Sequence, residues 1–183
     1  MIYFRSDYSL GAHPKVMQAL IDTNMEHTDG YAEDKFSFET ADMIREMIGK
    51  PDAHVHFMVG GTPTNTVTIA AALRPYEGVI SADSGHIYVH ETGSVEANGH
   101  RVFAAPTKDG KLRPADIEKV LLHHEDEHTV IPKMVYITHP TENGGVYTKS
   151  ELEALHDCCK KHGLYLYADG ARIGTALTWP GND

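Results

Sequence analysis

Several features are missing from this 183-residue sequence, and each absence removes a class of function. No stretch approaches the run of about 18 apolar residues that a membrane-spanning helix needs, so no membrane partner is expected. The opening Met1-Ile2-Tyr3-Phe4-Arg5 has no basic segment ahead of an apolar core, so no signal peptide is expected either. Cysteine is confined to the neighbours Cys158 and Cys159. Adjacent cysteines rarely bridge each other, which points to reduced thiols on a helix face and a cytoplasmic setting. Basic residues are few: 16 Lys and Arg against 26 Asp and Glu leave a formal charge of −10, with no basic stripe to receive a nucleic acid. An anionic ligand would then need a local device, such as the free N–H groups of a helix N-terminus.

What is present reads as an α/β chain. Pro14 opens a helical pattern through Val16, Met17, Leu20 and Ile21, and a second helix is expected over 38–48, stopped by Gly49. Strand-like runs follow at 55–59, 79–81, 102–104, 134–137 and 164–167, with helical stretches between them near 64–73, 87–97, 114–122 and 150–162. This alternation predicts right-handed crossovers, a mostly parallel sheet and helices on both faces, a three-layer structure with no linker dividing it. In such sheets ligands bind beyond the carboxyl ends of the strands. Four polar segments fall there: Gly60-Gly61-Thr62, Asp83-Ser84-Gly85-His86, Thr138-His139 and Asp169-Gly170-Ala171-Arg172.

Each segment admits two readings. Gly60-Gly61-Thr62 lets backbone N–H groups and a hydroxyl approach an anion, and equally suits a tight turn with an N-cap. It is neither a P-loop nor a dinucleotide fingerprint. Asp169 could keep a cofactor ring nitrogen protonated, or could cap a turn and pair with Arg172. His86 could stack on an aromatic ring and act as a base near neutral pH, or be a polar rim residue, and His139 shares that ambiguity. The dense run His123-His124-Glu125-Asp126-Glu127-His128 lacks a defined ligand spacing and reads as a solvated loop, so no metal site is assigned. His54 and His56 read as exposed residues sharing one strand face.

Six segments, in order along nearly the whole chain, resemble the threonine aldolase and β-eliminating lyase group of pyridoxal-phosphate (PLP) enzymes. They are Arg5-Ser6-Asp7, Gly30-Tyr31-Ala32-Glu33-Asp34, Gly60-Gly61-Thr62 with Asn65, Asp83-Ser84-Gly85-His86-Ile87, Thr138-His139 with Gly144-Gly145, and Tyr167-Ala168-Asp169-Gly170-Ala171-Arg172. Asp-Gly-Ala-Arg after a strand is the most specific of them. The resemblance implies PLP as cofactor, with Gly61 and Thr62 on its phosphate, His86 stacked over the ring and available as base, and Asp169 on the ring nitrogen. It places Arg172 and Ser6 near a substrate carboxylate, Tyr31 in the site from its own or a partner subunit of a homo-oligomer, and His139 as a second imidazole. The implied reaction on a small amino-acid substrate is retro-aldol cleavage of a β-hydroxy-α-amino acid such as threonine into glycine and acetaldehyde.

The pattern departs from the group at Ala32, where glycine is common, and at Tyr8, where threonine is common. A larger departure is that no lysine follows Lys161, whereas the group's cofactor-linked lysine lies on a strand well beyond Asp-Gly-Ala-Arg. Residues 1–183 are therefore expected to be an incomplete PLP-binding large domain with an N-terminal helical arm, inactive alone. Run 55–59 would lack its strand neighbour and 164–167 would form an edge. Two other functions remain compatible with these residues: β-elimination on an aromatic or hydroxy amino acid, and a non-catalytic scaffold that retains the fold.

Overall fold

The computed structural model describes residues 6–180; Arg5 of the first motif lies outside them. The chain divides into two units, one ending at Phe57 and the other beginning at Met58. The first holds helices α1 (Pro14–Thr23) and α2 (Lys35–Met47). Proline at the start of α1 forfeits an N–H that has no helical partner there, and Asp34 caps α2 by accepting from Ser37 N–H at 3.0 Å. That cap starts α2 three residues before the sequence-based expectation. Tyr31 and Ala32 both take left-handed backbone, with φ of 61° and 62°. This is the conformation glycine adopts without a Cβ penalty, which accounts for glycine being common at position 32 in the resembling group.

The second unit runs α3 (Gly61–Ala72), β1 (Glu77–Ala82), α4 (His86–Val89), α5 (Ser94–Ala97), β2 (Val102–Ala105), α6 (Pro114–Leu122), β3 (Ile131–Thr138), α7 (Lys149–His162), β4 (Tyr165–Asp169) and α8 (Ile173–Leu177). Its four strands are all parallel, in the order β2-β1-β3-β4. Because strand side chains alternate, the sheet buries two separate sets. Val79, Val102, Met134 and Tyr136 meet Ile69 of α3, Leu73 just after it, Ile87 of α4 and Val95 of α5 on one face. Ile80, Phe103, Val135 and Ile137 meet Ile117 of α6 and Leu155, Cys158 and Cys159 of α7 on the other. The expected three-layer α/β architecture is the one observed.

Two expected elements differ. Run 55–59 forms no strand: it has no ladder partner among the described residues, and Phe57, Met58 and Val59 are exposed. A parallel strand gains its stability from neighbours, so apolar sequence alone does not produce one. The helix expected over 87–97 is broken into α4 and α5, because Thr92 and Gly93 adopt φ of 55° and 74° and turn the chain. Glu91 sits at that break. Among the described residues β4 ends one side of the sheet, as expected, and β2 ends the other.

Candidate active site

The carboxyl ends of β1, β3 and β4 and the start of α3 carry the polar residues that the sequence singles out. Asp169 is the last residue of β4 and is half-buried. Its Oδ1 accepts from Ala171 N–H at 3.0 Å; its Oδ2 accepts from Asn65 Nδ2 at 3.0 Å and from the Tyr136 hydroxyl at 2.7 Å. Burial, with the adjoining carboxylate, pushes the Tyr136 hydroxyl far above its ordinary value of 10, so it remains a donor. A carboxylate offers about four acceptor positions, so three donors leave roughly one for a further N–H.

Asn65, on α3 and only 2% exposed, joins this carboxylate to a second one. Its Nδ2 also donates to Glu91 Oε1 at 2.6 Å, and its Oδ1 accepts from the Tyr167 hydroxyl at 2.5 Å. Burial, followed by the nearby Asp169 charge, pushes the Tyr167 hydroxyl up to about 12. Glu91 Oε2 accepts from Ser94 Oγ at 3.0 Å, and the Nδ1 of His86, the first residue of α4, lies 2.9 Å from Oε1. His86, Glu91, Asn65, Asp169, Tyr136 and Tyr167 thus form one hydrogen-bonded network.

Two glycines at the rim have different causes. A Cβ on Gly85 would come within 2.1 Å of Ser81 Oγ and 3.1 Å of Ala82 O, so packing demands glycine there. A Cβ on Gly61 would meet nothing within 4 Å. Protein packing does not require glycine at 61, whereas an anion seated on the first turn of α3 would. Gly61 and Thr62 open that helix, where N–H groups have no intrahelical acceptor. The donors of α3 and the spare acceptor of Asp169 suit a molecule carrying a phosphate and a protonated ring nitrogen, so the residues present fit PLP.

His139 follows β3, is 6% exposed, and its main-chain N–H donates to Asp169 O at 2.9 Å. Burial, reinforced by Lys111, lowers its pKa below 6.5. Its Nδ1 accepts from Tyr147 N–H at 3.4 Å, so the ring hydrogen belongs on Nε2. Arg172 is exposed at the start of α8. Ser6 and Tyr31 lie in the N-terminal unit, half-buried and fully exposed respectively. Of the histidine-rich run, all but His124 is exposed, as expected; His124 packs on Phe103 at 4.4 Å between ring centroids. His54 and His56 are exposed too, though not on a strand. The described residues do gather Glu118, Cys158 and His162 on α6 and α7, but Lys161 Nζ already occupies Glu118 Oε1 at 2.8 Å.

Sequence reasoning assigned no role to Asn65, Glu91, Tyr136 or Tyr167. Strand alternation held part of the signal: Tyr167 and Asp169 are two apart on β4, and Tyr136 is the register partner of Tyr167. Glu91 gave none, since it fell inside an expected helix.

This sheet, with helices on both faces and its polar rim, is the α/β fold of PLP-dependent enzymes. The PLP-bound C-S lyase of Staphylococcus hominis superposes with a TM-score of 0.57 at 12% identity, over 85% of this chain and 40% of that one. The chain belongs to the beta-eliminating lyase family, which it matches over residues 3–181. It is 34% identical over 180 residues to a low specificity L-threonine aldolase of Pseudomonas aeruginosa, covering 97% of this chain and 52% of that protein. A threonine aldolase of Leishmania major shares 51% identity with a TM-score of 0.96, again over 97% of this chain and 52% of the other. The chain spans about half the length of the curated relatives it matches.

Proposed function

We propose that the full-length protein is a PLP-dependent lyase that cleaves a β-hydroxy-α-amino acid, L-threonine or L-allo-threonine, into glycine and acetaldehyde. The observation that carries this reading is the Asp169 carboxylate, fixed by three donors at the end of β4 with an acceptor position to spare. PLP, when bound, supplies an electron sink for the pair released at the substrate Cα. Gly61 and Thr62 would hold its phosphate, and Asp169 would keep a proton on its ring nitrogen. His86 would lie over the ring and take the β-hydroxyl proton, so that the C–O bond becomes a carbonyl as Cα–Cβ breaks and the aldehyde departs. His139, neutral and carrying its hydrogen on Nε2, would be the second imidazole beside the substrate. Arg172 and Ser6 would bind the substrate carboxylate, and Tyr31 would complete the site from its own or a partner subunit.

The names of the Pseudomonas and Leishmania relatives support an aldol cleavage over other PLP chemistries. In this reading residues 1–183 are the cofactor-binding part of a large domain with an N-terminal helical arm. The cofactor-linked lysine belongs to sequence beyond them, and the active species is a cytoplasmic homo-oligomer. The test is to incubate the full-length protein with PLP and L-threonine, following acetaldehyde through NADH consumption by alcohol dehydrogenase, and assaying 2-oxobutanoate separately. Acetaldehyde and glycine in equal amounts are expected. Ammonia and 2-oxobutanoate without acetaldehyde would replace the reading with β-elimination, the reaction in the family's name.

A further inference from the structure

Glu91 is 4% exposed and lies where the chain turns between α4 and α5. Both of its oxygens are engaged by donors, and the Asn65 amide cannot turn its oxygen to Glu91 without breaking other bonds. Oε1 takes an Asn65 amide N–H at 2.6 Å, while the other N–H of that amide serves Asp169 and its oxygen is held by Tyr167. Oε2 takes the Ser94 hydroxyl at 3.0 Å. An ionised carboxylate can only accept, so the His86 Nδ1 that sits 2.9 Å from Oε1 must bring the hydrogen. In a neutral imidazole that leaves the lone pair on Nε2. From this geometry we infer that Glu91 is a positioning residue: it fixes His86 as the Nδ1–H tautomer and so leaves Nε2 as the proton acceptor for the substrate hydroxyl. The inference rests on the reading of His86 as base, and adds how that base is prepared.

The second carboxylate of the network is what makes the arrangement rigid. Glu91 cannot swing from His86 without releasing Asn65, and Asn65 cannot follow without releasing Asp169. The orientation of the imidazole and that of the ring-nitrogen partner are therefore set together, before any ligand arrives. His139 has the opposite form, with Nδ1 accepting from Tyr147 N–H. The two imidazoles thus differ in which nitrogen carries the hydrogen.

The test reads the tautomer directly in the full-length protein without PLP or substrate. Magic-angle-spinning 15N spectra of histidine-labelled protein, differenced against His86→Gln, are recorded where the ring is neutral. A pyrrole-like Nδ1 and a pyridine-like Nε2 are expected for His86. Glu91→Gln, which keeps a carbonyl acceptor in place, should retain that pattern; Glu91→Ala should lose it. With PLP and L-threonine, Glu91→Ala should lower kcat/KM by about 10- to 100-fold, and Glu91→Gln by less than about tenfold. A pyrrole-like Nε2 in the unsubstituted protein would overturn the inference, even if Glu91→Ala does not fold. So would a Glu91→Ala protein with unaltered tautomer or unaltered kcat/KM. Absence of any lyase activity in the unsubstituted protein would instead defeat the proposed function, while the spectra still decide what Glu91 does to His86.

Discussion

Asp169 accepts three hydrogen bonds in fixed directions, and its remaining acceptor position is what the proposed chemistry uses. Asp169→Asn keeps the size and some of these contacts but gives up the charge that would hold a proton on the cofactor nitrogen. Turnover should fall on the order of 10²- to 10³-fold, as when one preorganised electrostatic partner is removed. PLP affinity, measured by absorbance titration, should change far less; unchanged turnover would take Asp169 out of this role. Tyr136→Phe removes one donor from that carboxylate and leaves the other two. Its expected cost is about 1–3 kcal/mol of stability, measured by urea unfolding, because the lost bond is to a charged group. The sequence exposed Asp169 readily, since a carboxylate at a strand end followed by Gly-Ala-Arg stands out. It hid Tyr136 and Tyr167 inside apolar runs, where a tyrosine reads as core until the strand pairing reveals its hydroxyl's partner.

Among the elements, α3 would carry the proposed phosphate contact and an observed network residue at opposite ends of one turn. Gly61 and Thr62 present N–H groups outward, while Asn65, one turn on, faces the buried network. Gly61→Ala separates them. Nothing lies within 4 Å of the added methyl, so unfolding free energy should stay within about 0.5 kcal/mol, while PLP affinity should fall. A stability loss with unaltered PLP affinity would make Gly61 a packing residue. The elements also mark how far local pattern reaches. The α7 boundaries were nearly legible because Thr148 and Glu151 form a capping box and Gly163 ends the helix in left-handed backbone. Run 55–59 has the pattern of a strand yet forms none, because apolar periodicity reports a tendency to be buried, not the presence of a neighbouring strand. The break between α4 and α5 is not legible in the sequence, because Thr92 takes a positive φ that its residue type does not advertise.

At the scale of the whole molecule, proton binding and stability are linked through two imidazoles, the buried His139 and the half-buried His124. Burial lowers the pKa of both His139 and His124 from 6.5, with Lys111 acting on the first, and Arg101 and His123 on the second. In the unfolded chain the same rings titrate near 6.5, so it binds more protons than the native state just below that pH. Stability present above pH 6.5 should therefore decline as pH falls from 6.5 toward the native values. His139→Gln should flatten part of that decline in urea midpoints taken across the range. An unchanged slope would mean His139 titrates alike in both states.

The Asn65–Asp169 bond spans 104 positions in the sequence. During synthesis at about 5–20 residues per second, the asparagine would leave the ribosome roughly 5–20 s before its aspartate. Through that interval α3 can form and Asn65 can already reach Glu91, but its bond to the second carboxylate, Asp169, has to wait. Completion of this network is timed by translation of β4, the strand that supplies both Asp169 and Tyr167.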